Sequence, residues 1–523
     1  MHVIVPMAGH SRRFAAAGLD GPKALLPVAG RPMIARVLAM FSPEDTFHVV
    51  VNEAQVAENP ALPSLLRSLA PDVRVTTVPI HEDGPVRSML AAQDIPEDAS
   101  VLVSYCDFLL QWDYAAFLDA WGGEGGAVVT FTGFQPASFG DTLFAHLKLE
   151  GDRMVALREK GCFTDDRTTE PASAGIYGFP RWDQARALAR RRLDSFVPAP
   201  PLLECYVSLL MEDLAETDVV RAFDAPRFAC LGTPADYHQY EGWHREITAA
   251  DPAPPDGDGL TLIPMAGKGR RFVDAGYTEP KAVIPVRGAP MTVRATRSLP
   301  ATPRLCFALR PDAPDALGEA LDDAFPHADH MTIYRDTSGP AATCVEALEL
   351  LANVDRYDPA APLLIASCDY EARFDADAWA ALVGDDTVDV AIWTTRPGDD
   401  LFASWESYAW VREEHGAVTQ ISEKVPISPD PRHDPLVIGT FWFRRAADFV
   451  RGALAMMNAG ITAGGEHYVG TSINQLIGEG RRVVDFPVER WTCFGTPFEL
   501  ELLRWWQGWF ADQPVPLGSE DEG

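Results

Sequence analysis

The sequence predicts an α/β fold present in two copies, each a mostly parallel sheet with helices on both faces. Short apolar, β-branched runs alternate with helical patterns from the N-terminus onward, which is typical of βαβ units. A glycine-rich turn follows the first apolar run, and the same turn recurs in the second half of the chain. A period of about 258 residues is too long for a solenoid and indicates two whole domains in tandem.

The first half carries the strand and helix order that this fold requires. Strands are predicted at residues 3–6, 47–51, 73–78 and 101–105. Helices are predicted at residues 33–40, 62–70 and from 86 to 92. The last of these strands ends in Cys106-Asp107, and ligands of such sheets collect outside the carboxyl ends of the strands.

The second half repeats this order after a stretch, at residues 248–259, that is rich in Pro, Asp and Gly. Such a stretch has almost no apolar side chains to bury, so it is a plausible linker. Short motifs match in order across the two halves, among them Cys106-Asp107 with Cys368-Asp369 and Glu204-Cys205-Tyr206-Val207 with Glu466-His467-Tyr468-Val469. We predict an N-terminal domain at 1–247, a linker at 248–259, a C-terminal domain at 260–514 and an acidic tail at 515–523.

The charge balance restricts the possible partners. The chain has 44 basic and 75 acidic residues, a net charge of −31. A nucleic-acid polymer or an anionic membrane surface needs clustered Lys and Arg, so neither is expected as a partner. Nucleotides remain possible, because they need only a few local cations and a metal ion.

Cysteine usage and hydropathy predict the compartment. The eight cysteines include no CxxC pair, which favours reduced thiols and a cytoplasmic setting. No apolar run approaches the roughly 18 residues of a membrane span. The N-terminus enters a strand directly and lacks the features of a signal peptide. We therefore expect a soluble, cytoplasmic protein.

The glycine-rich turns have the residue types that phosphate binding requires. Glycines after a strand let backbone N–H groups approach phosphate oxygens, while Arg and Lys supply positive charge. The spacing of ten positions from Arg13 to Lys23 recurs from Arg271 to Lys281. A carboxylate at a strand end, such as Asp107 or Asp369, is a natural ligand for Mg²⁺. Together these residues suit the transfer of a nucleotidyl group.

Each motif also has a purely structural explanation. A glycine-rich turn after a strand is often an ordinary turn, and an Asp there is often a turn former or helix cap. Gly-Thr-Pro is usually a turn with an N-capping Thr, and a Glu-Lys pair usually lies on a solvated surface. The recurrence of all motifs in one order favours function, although duplication alone also preserves residues that only the fold needs.

The chain resembles two copies of the sugar-phosphate nucleotidyltransferase family, the nucleotide-sugar pyrophosphorylases. The family signature is a Gly-x-Gly-x-x-Arg turn followed by Pro-Lys and an apolar strand. The second copy matches it at Gly267, Gly269, Arg271, Pro280 and Lys281, with the Arg one place early. The first copy matches at Gly9, Ser11, Arg13, Pro22 and Lys23. The Glu-x-Tyr-Val elements are similar to a branch found with capsule and surface-polysaccharide genes.

The resemblance implies a Rossmann-like, GT-A-type fold and roles for particular residues. Phosphate contacts are implied for Arg271, Lys281, Arg13 and Lys23. Nucleotide contacts are implied for Gly267, Gly269, Gly339, Gly9, Ser11 and Gly84. Contacts with the sugar phosphate are implied for Glu423, Lys424, Gly439, Glu159, Lys160 and Gly175. Asp369 and Asp107 are implied as Mg²⁺ ligands, an NTP and a sugar 1-phosphate (or a related phosphorylated alcohol) as substrates, and self-association as a possibility.

The sequence departs from the family pattern at three places. Cys230 and Cys493 stand where many members have a second metal-binding Asp, and a thiol is a poor Mg²⁺ ligand. These thiols are small buried core residues or, as an alternative, ligands of a softer metal beside Cys106 or Cys368. In the first copy Ser11 replaces the second glycine, which restricts the backbone if that position needs a positive φ. Glu212 also replaces an Asn, present as Asn474 in the second copy.

Because the first copy departs further, the second copy is the better candidate for catalysis. Two other functions stay open. The missing second carboxylate is also compatible with a non-catalytic scaffold that senses nucleotides or sugars. A GT-A-type glycosyltransferase is less consistent with the sequence, because Cys-Asp-Phe and Cys-Asp-Tyr are not the Asp-x-Asp motif of such enzymes.

Overall fold

The computed structural model describes residues 1–140, 142–251, 253–267, 269–397 and 405–511. The chain divides into two compact units. The first unit comprises Met1–Ala249 together with the residues from Trp505 onward, and the second comprises Ala250–Arg504. The predicted acidic tail at 515–523 lies outside the described residues.

The first unit alternates short strands and helices. Its strands are β1 (His2–Pro6), β2 (Pro27–Val28), β3 (Arg31–Pro32), β4 (Thr46–Asn52), β5 (Val73–Val78), β6 (Val101–Ser104), β7 (Phe108–Gln111), β8 (Gly126–Phe131), β9 (His146–Glu150), β10 (Arg153–Arg158), β11 (Ala172–Phe179), β12 (Val220–Asp224) and β13 (Arg227–Cys230). Its helices are α1 (Arg12–Ala16), α2 (Met33–Leu38), α3 (Glu53–Glu58), α4 (Leu62–Arg67), α5 (Pro85–Met89), α6 (Tyr114–Trp121), α7 (Trp182–Ser195), α8 (Ser208–Ala215) and α9 (Pro234–Thr248).

The main sheet of the first unit has the strand order β5-β4-β1-β6-β11-β8-β12-β10-β9. The strands β5, β4, β1 and β6 run parallel. β11 is antiparallel to both β6 and β8, and β12 pairs with β8 in parallel. The predicted α/β class with sheets of parallel strands is confirmed, with β11 as a reversed strand inside the sheet.

The second unit has the same succession of elements. Its strands are β14 (Leu260–Pro264), β15 (Pro285–Val286), β16 (Ala289–Pro290), β17 (Arg304–Leu309), β18 (Asp329–Thr332), β19 (Leu363–Ala366), β20 (Tyr370–Arg373), β21 (Val390–Thr395), β22 (Ala409–Glu414), β23 (Ala417–Glu423), β24 (Leu436–Phe443), β25 (Val483–Pro487) and β26 (Arg490–Cys493). Its helices are α10 (Arg270–Asp274), α11 (Met291–Arg297), α12 (Asp315–Ala324), α13 (Pro340–Ala352), α14 (Ala376–Gly384), α15 (Ala446–Asn458) and α16 (Val469–Gly478). The division between the units falls within α17 (Pro497–Ala511).

The sheet of the second unit repeats the topology of the first. Its order is β18-β17-β14-β19-β24-β21-β25, with β22 pairing β23 and β24. The strands β18, β17, β14 and β19 run parallel, and β24 is antiparallel to β19 and β21. Strands buried on both faces read as continuous apolar runs, and every residue of β6 and of β19 is buried. Asp107 and Asp369 therefore come directly after fully buried strands.

The segment predicted as a linker is attached to the second unit. Asp251 accepts two hydrogen bonds from the Arg294 guanidinium, at 2.8 and 2.6 Å. Arg294 is buried, and it also donates to the buried Glu371 carboxylate at 2.7 Å. Further along, the Gly257 N–H donates to the Ala301 carbonyl at 2.8 Å. Bidentate Arg–carboxylate pairs fix geometry as well as contributing free energy.

The last residues of α17 fill an aromatic cluster in the first unit. Trp509 is fully buried, stacks on Trp505 at 5.3 Å, and donates from Nε1 to the Tyr240 hydroxyl at 3.3 Å. Trp506 stacks on Trp243 at 6.3 Å. These residues group with the first unit, whereas the sequence placed residues up to 514 in the C-terminal domain.

Among the helices in the described ranges, none is long and apolar enough to cross a membrane.

Candidate active site

The residue before the first helix of each unit has the same left-handed backbone conformation. Gly269 precedes α10 with φ +59°, and Ser11 precedes α1 with φ +53°. The position therefore has a positive φ in both units, which is the condition under which a serine was expected to restrict the turn, and Ser11 takes the same left-handed conformation as Gly269. The Ser11 hydroxyl accepts a hydrogen bond from the Lys23 N–H at 3.1 Å. That bond ties the turn to the Pro-Lys segment and offsets part of the backbone strain.

The lysine of each Pro-Lys segment contacts the aspartate after the buried strand. The Nζ of Lys281 lies 2.5 Å from Oδ2 of Asp369, and the same atoms of Lys23 and Asp107 are also 2.5 Å apart. Burial opposes the charge of Lys281, but the Asp369 carboxylate outweighs burial and raises the Lys281 pKa. The sequence placed these two residues in one site, and the structure shows that they are directly paired.

A glycine leaves room for each aspartate carboxylate. A Cβ atom added to Gly495 would lie 2.7 Å from Oδ2 of Asp369 and 3.5 Å from Sγ of Cys493. In the first unit, a Cβ on Gly232 would lie 3.4 Å from both Oδ2 of Asp107 and Sγ of Cys230. Cys493 and Cys230 thus stand beside the aspartates, at the position where the sequence lacks a second carboxylate.

The thiols beside the aspartates are half-buried, whereas one expectation from the sequence was that they are buried core residues. Burial is the main cause that raises the pKa of Cys230 and of Cys493 well above the usual value. The Cys230 thiol donates to Asp236 at 3.3 Å. Within the described ranges, no group of three or more His, Cys, Asp or Glu residues could hold a metal ion. One hard carboxylate fits Mg²⁺, which keeps several waters and shares phosphate oxygens.

The lysine of each Glu-Lys pair has a left-handed backbone conformation. Lys424 has φ +62° and Lys160 has φ +50°, values that are uncommon for residues other than glycine. The ammonium of Lys424 lies 5.1 Å from the ring centre of Tyr468, and that of Lys160 lies 4.5 Å from the ring of Tyr206. The left-handed turn points each lysine over a tyrosine ring, a contact that favours a cation.

Glu423 is held in an environment that disfavours its charge. Burial is the main cause that raises the Glu423 pKa to about 7, and Lys424 lowers it by a smaller amount. A Cβ on Gly470 would lie 2.6 Å from Oε1 of Glu423, so that carboxylate packs directly against the start of α16. A carboxyl group with a pKa near 7 is partly protonated at neutral pH, and the protonated form can both donate a hydrogen bond to a polar ligand and accept one from it.

We expect Glu423→Gln to stabilise the second unit at high pH. The folded-state pKa of Glu423, about 7, exceeds the ordinary value of 4.5. Between these two pH values the Glu423 carboxyl group keeps its proton in the folded state but loses it in the unfolded state. The free energy of unfolding of the wild type therefore falls as the pH rises from about 4.5 through about 7. The melting temperature of Glu423→Gln should exceed that of the wild type at pH 8 and match it at pH 4, below the ordinary pKa. Equal differences at the two pH values would contradict this prediction.

The glycines before α5 and α13 allow a close backbone approach. Gly339 has φ +134°, and a Cβ there would lie 2.6 Å from the backbone nitrogen of His467. Gly84 has φ +87°, and its Cβ would lie 2.9 Å from the nitrogen of Cys205. The His467 N–H donates to the Ser338 carbonyl at 2.8 Å. The Glu-x-Tyr-Val motif therefore supports the loop at Gly84 or Gly339 through its backbone.

One cleft of about 910 Å³ in the second unit collects the predicted residues. Its lining includes all nine of the site residues predicted in this copy: Gly267, Gly269, Arg271, Lys281, Gly339, Asp369, Glu423, Lys424 and Gly439.

The sequence missed Tyr408, Glu499 and Arg310, which also line it. The Tyr408 hydroxyl donates to Glu499 at 3.0 Å, and Glu499 caps α17 by accepting from Thr496. The Thr-x-x-Glu capping pattern after Gly495 could have indicated Glu499.

The first unit brings its predicted residues into corresponding contacts. Ser11, Lys23 and Asp107 form a chain of hydrogen bonds, and the Gln55 amide donates to the Gly9 carbonyl at 3.1 Å. Arg13 lies close enough to Lys23 to oppose its positive charge. Burial raises the pKa of Glu159, which accepts a hydrogen bond from the Ser208 hydroxyl. Gly175 has φ +91° and Gly439 has φ +93°.

The glycine-rich turn and the Lys–Asp pair lie at the strand ends of a mixed α/β sheet in each unit. Residues 3–163 match the family described as MobA-like NTP transferase domain. This match covers less than a third of the chain. Among curated proteins, none gives a significant match.

Solved structures that match about half of the chain were also found. A nucleoside-diphosphate-sugar pyrophosphorylase from Vibrio cholerae RC9 is 21% identical, covers 46% of this chain and 98% of its own, and has a TM-score of 0.38. An inositol-1-phosphate CTP transferase from T. maritima is 12% identical, and the match covers 51% of this chain and 100% of that chain with a TM-score of 0.36. An apo UDP-glucose pyrophosphorylase is 15% identical, and the match covers 47% of this chain and 98% of that chain, also with a TM-score of 0.36.

Proposed function

We propose that the chain is a sugar-phosphate nucleotidyltransferase that joins an NTP to a sugar 1-phosphate, or to a related phosphorylated alcohol, and releases pyrophosphate. We further propose that it arose by duplication of one such domain and serves surface-glycan biosynthesis. The observation that carries the proposal is the pairing of Lys281 with Asp369 inside a cleft that also contains the glycine-rich turn and the Glu423-Lys424 pair.

The reaction that we propose needs little covalent chemistry from the protein. An oxygen of the acceptor phosphate bonds to the α-phosphorus of the NTP, and the bond from that phosphorus to the leaving pyrophosphate breaks. Negative charge shifts onto the pyrophosphate, where cations stabilise it. Arg271 and Lys281 line the cleft beside the glycine-rich turn and supply that positive charge.

Two groups of lining residues suit different parts of the substrates. The residues around Gly339 offer backbone groups and the hydroxyls of Thr337 and Thr343, which lie 2.6 Å apart, and they suit the nucleoside. Glu423 and Lys424 offer a carboxyl group and an ammonium group, and they suit a phosphorylated ligand that carries hydroxyls. Asp369 would hold Mg²⁺, and bound Mg²⁺ would neutralise charge on the phosphate oxygens.

The test is pyrophosphate release with Mg²⁺ across the common NTPs, paired with hexose 1-phosphates and inositol 1-phosphate. We expect one nucleotide and one acceptor to be preferred, and we expect Lys23→Ala with Lys281→Ala to remove turnover. Unchanged turnover in that double variant would refute the proposed site. Tight nucleotide binding with no turnover on any pair would instead favour a sensing scaffold.

A further inference from the structure

The two units differ at the wall of the cleft next to the metal-binding aspartate. Position 105, two residues before Asp107, is a tyrosine, and the corresponding position in the second unit is Ser367. Ser367 lines the open cleft of the second unit, and a Cβ on Gly439 would lie 3.0 Å from its hydroxyl. The inference rests on the proposed function, because it takes Glu423 and Lys424 as the residues that contact the acceptor.

Tyr105 occupies the corresponding space in the first unit. Its ring atom Cδ2 would lie 3.1 Å from a Cβ on Gly175. Its hydroxyl accepts a hydrogen bond from the Val207 N–H at 3.1 Å, just before α8 begins. The ring therefore extends from the end of β6 to the start of α8, and a neighbouring edge contact with Tyr177 at 5.9 Å holds it there.

The polar groups around Tyr105 are already hydrogen-bonded to one another. Ser208 donates to the Glu159 carboxylate, and Ser173 donates to the Tyr177 hydroxyl at 2.9 Å. A ligand hydroxyl that entered here would have to displace these bonds, and buried polar groups without partners are costly.

The second unit has none of these side chains at the matching positions. Gly470 replaces Ser208, Phe441 replaces Tyr177 and Val437 replaces Ser173. Glu423 lines the cleft, and its carboxylate has no side-chain hydrogen-bond donor among the described residues. A half-buried carboxyl group that lacks an internal donor is suited to a donor from a ligand, such as a sugar or alcohol hydroxyl.

A second contact fixes Glu423 in place. The Asn474 side chain accepts from the Ile421 N–H at 2.8 Å and donates to the Ile421 carbonyl at 2.9 Å. Asn474 lies one turn after Gly470 on α16, so the helix holds β23 while Gly470 leaves the carboxylate accessible. In the first unit Glu212 stands in place of Asn474 and faces Arg192, at 3.5 Å.

We propose that Tyr105 and Ser208 close the acceptor subsite of the first unit, so that only the second unit binds the hydroxyl-bearing phosphorylated acceptor. Ser367 and Gly470 are the specificity-determining residues that keep the subsite of the second unit open. The first unit retains its glycine-rich turn and Lys23–Asp107 pair and binds nucleotide without this acceptor.

The test in the second unit is Ser367→Tyr in the full chain. The KM for each hexose 1-phosphate and for inositol 1-phosphate should rise by about 100-fold or more, because the phenol removes the volume and hydrogen bonds of the ligand. The Kd for the nucleotide should stay within about threefold, since no contact around Gly339 changes. The control Leu454→Tyr places the same side chain at an exposed position on α15, outside the cleft lining, and should keep both constants within the same range. An unchanged acceptor KM in Ser367→Tyr would overturn the proposal.

The reciprocal test opens the first unit with Tyr105→Ser and Ser208→Gly. Calorimetric titration of the same phosphates, with saturating nucleotide and Mg²⁺, should count one acceptor per wild-type chain and two per variant chain. Two acceptors on the wild type would refute the closed subsite, and one on a folded variant would refute the roles of these two residues. Turnover is not needed for this count, so a failure of the proposed reaction is distinguishable from a failure of this inference.

Discussion

Lys281→Met is expected to remove most of the pyrophosphate-releasing activity and, at the same time, to let a divalent cation bind without nucleotide. The lysine ammonium touches Asp369 at 2.5 Å, so it holds the carboxylate that we assign to the metal. Loss of a positioned cation at a reacting phosphate lowers kcat by about 100- to 1,000-fold.

The same ammonium repels any metal ion that approaches Asp369. Two unit charges at about 4 Å repel by about 4 kcal/mol at an effective dielectric constant of 20, and a divalent ion is repelled more strongly. In the wild type, the phosphates of the nucleotide would have to draw Lys281 away before Asp369 can bind the metal. Metal and nucleotide should therefore bind together.

Electron paramagnetic resonance of Mn²⁺ measures this directly. The affinity of the nucleotide-free chain for Mn²⁺ should rise by about tenfold or more in Lys281→Met, since the repulsion is removed. The double variant with Lys23→Met should show two such sites, and adding Asp369→Asn should remove one. Lys148→Met, which removes a solvent-exposed lysine on β9, is the matched control. Equal Mn²⁺ binding by wild type and Lys281→Met would contradict the prediction.

Trp509→Ala is expected to destabilise the first unit by about 3–5 kcal/mol, the usual cost of truncating a buried tryptophan. The indole is fully buried, stacks on Trp505 and donates to Tyr240, so the truncation leaves a cavity and an unpaired hydroxyl. A loss of this size is a large part of the stability of a typical domain.

Urea denaturation followed by circular dichroism should show the transition of the first unit at lower denaturant in Trp509→Ala. Chains with two units often unfold in more than one step, so each transition should be fitted separately. Glu501→Ala, which removes an exposed side chain of the same helix, should leave both transitions unchanged. An unshifted first-unit transition would show that the aromatic cluster contributes little to stability.

Local patterns in the sequence account for much of what the structure shows. The apolar run at 101–105 predicted a strand, which the structure has as Val101–Ser104, and the repeated Pro-Lys and Cys-Asp motifs placed Lys281 and Asp369 in one site. These inferences succeed because buried parallel strands are apolar throughout and because ligands collect at their carboxyl ends.

Other features depend on contacts that local patterns do not encode. The grouping of Trp505 and Trp509 with the first unit rests on packing against Tyr240 and Gln135, which are hundreds of residues away in sequence. Whether the position of Ser11 needs a positive φ could not be read from the sequence; the structure shows that it has one, and that the Ser11 hydroxyl accepts a hydrogen bond from the Lys23 N–H. Tyr105 is not part of any motif that the two halves share. It differs from Ser367 at the corresponding position, and shared motifs do not reveal such a difference.

The salt bridge between Asp251 and Arg294 determines where the second copy can be separated from the rest of the chain. A fragment that starts at Leu260, the first residue of β14, would leave the buried Arg294 without the carboxylate that accepts two of its hydrogen bonds. A protease cut on the N-terminal side of Asp251 would preserve that pair. A fragment that contains the second copy should therefore start before Asp251 rather than at Leu260, the first residue of β14.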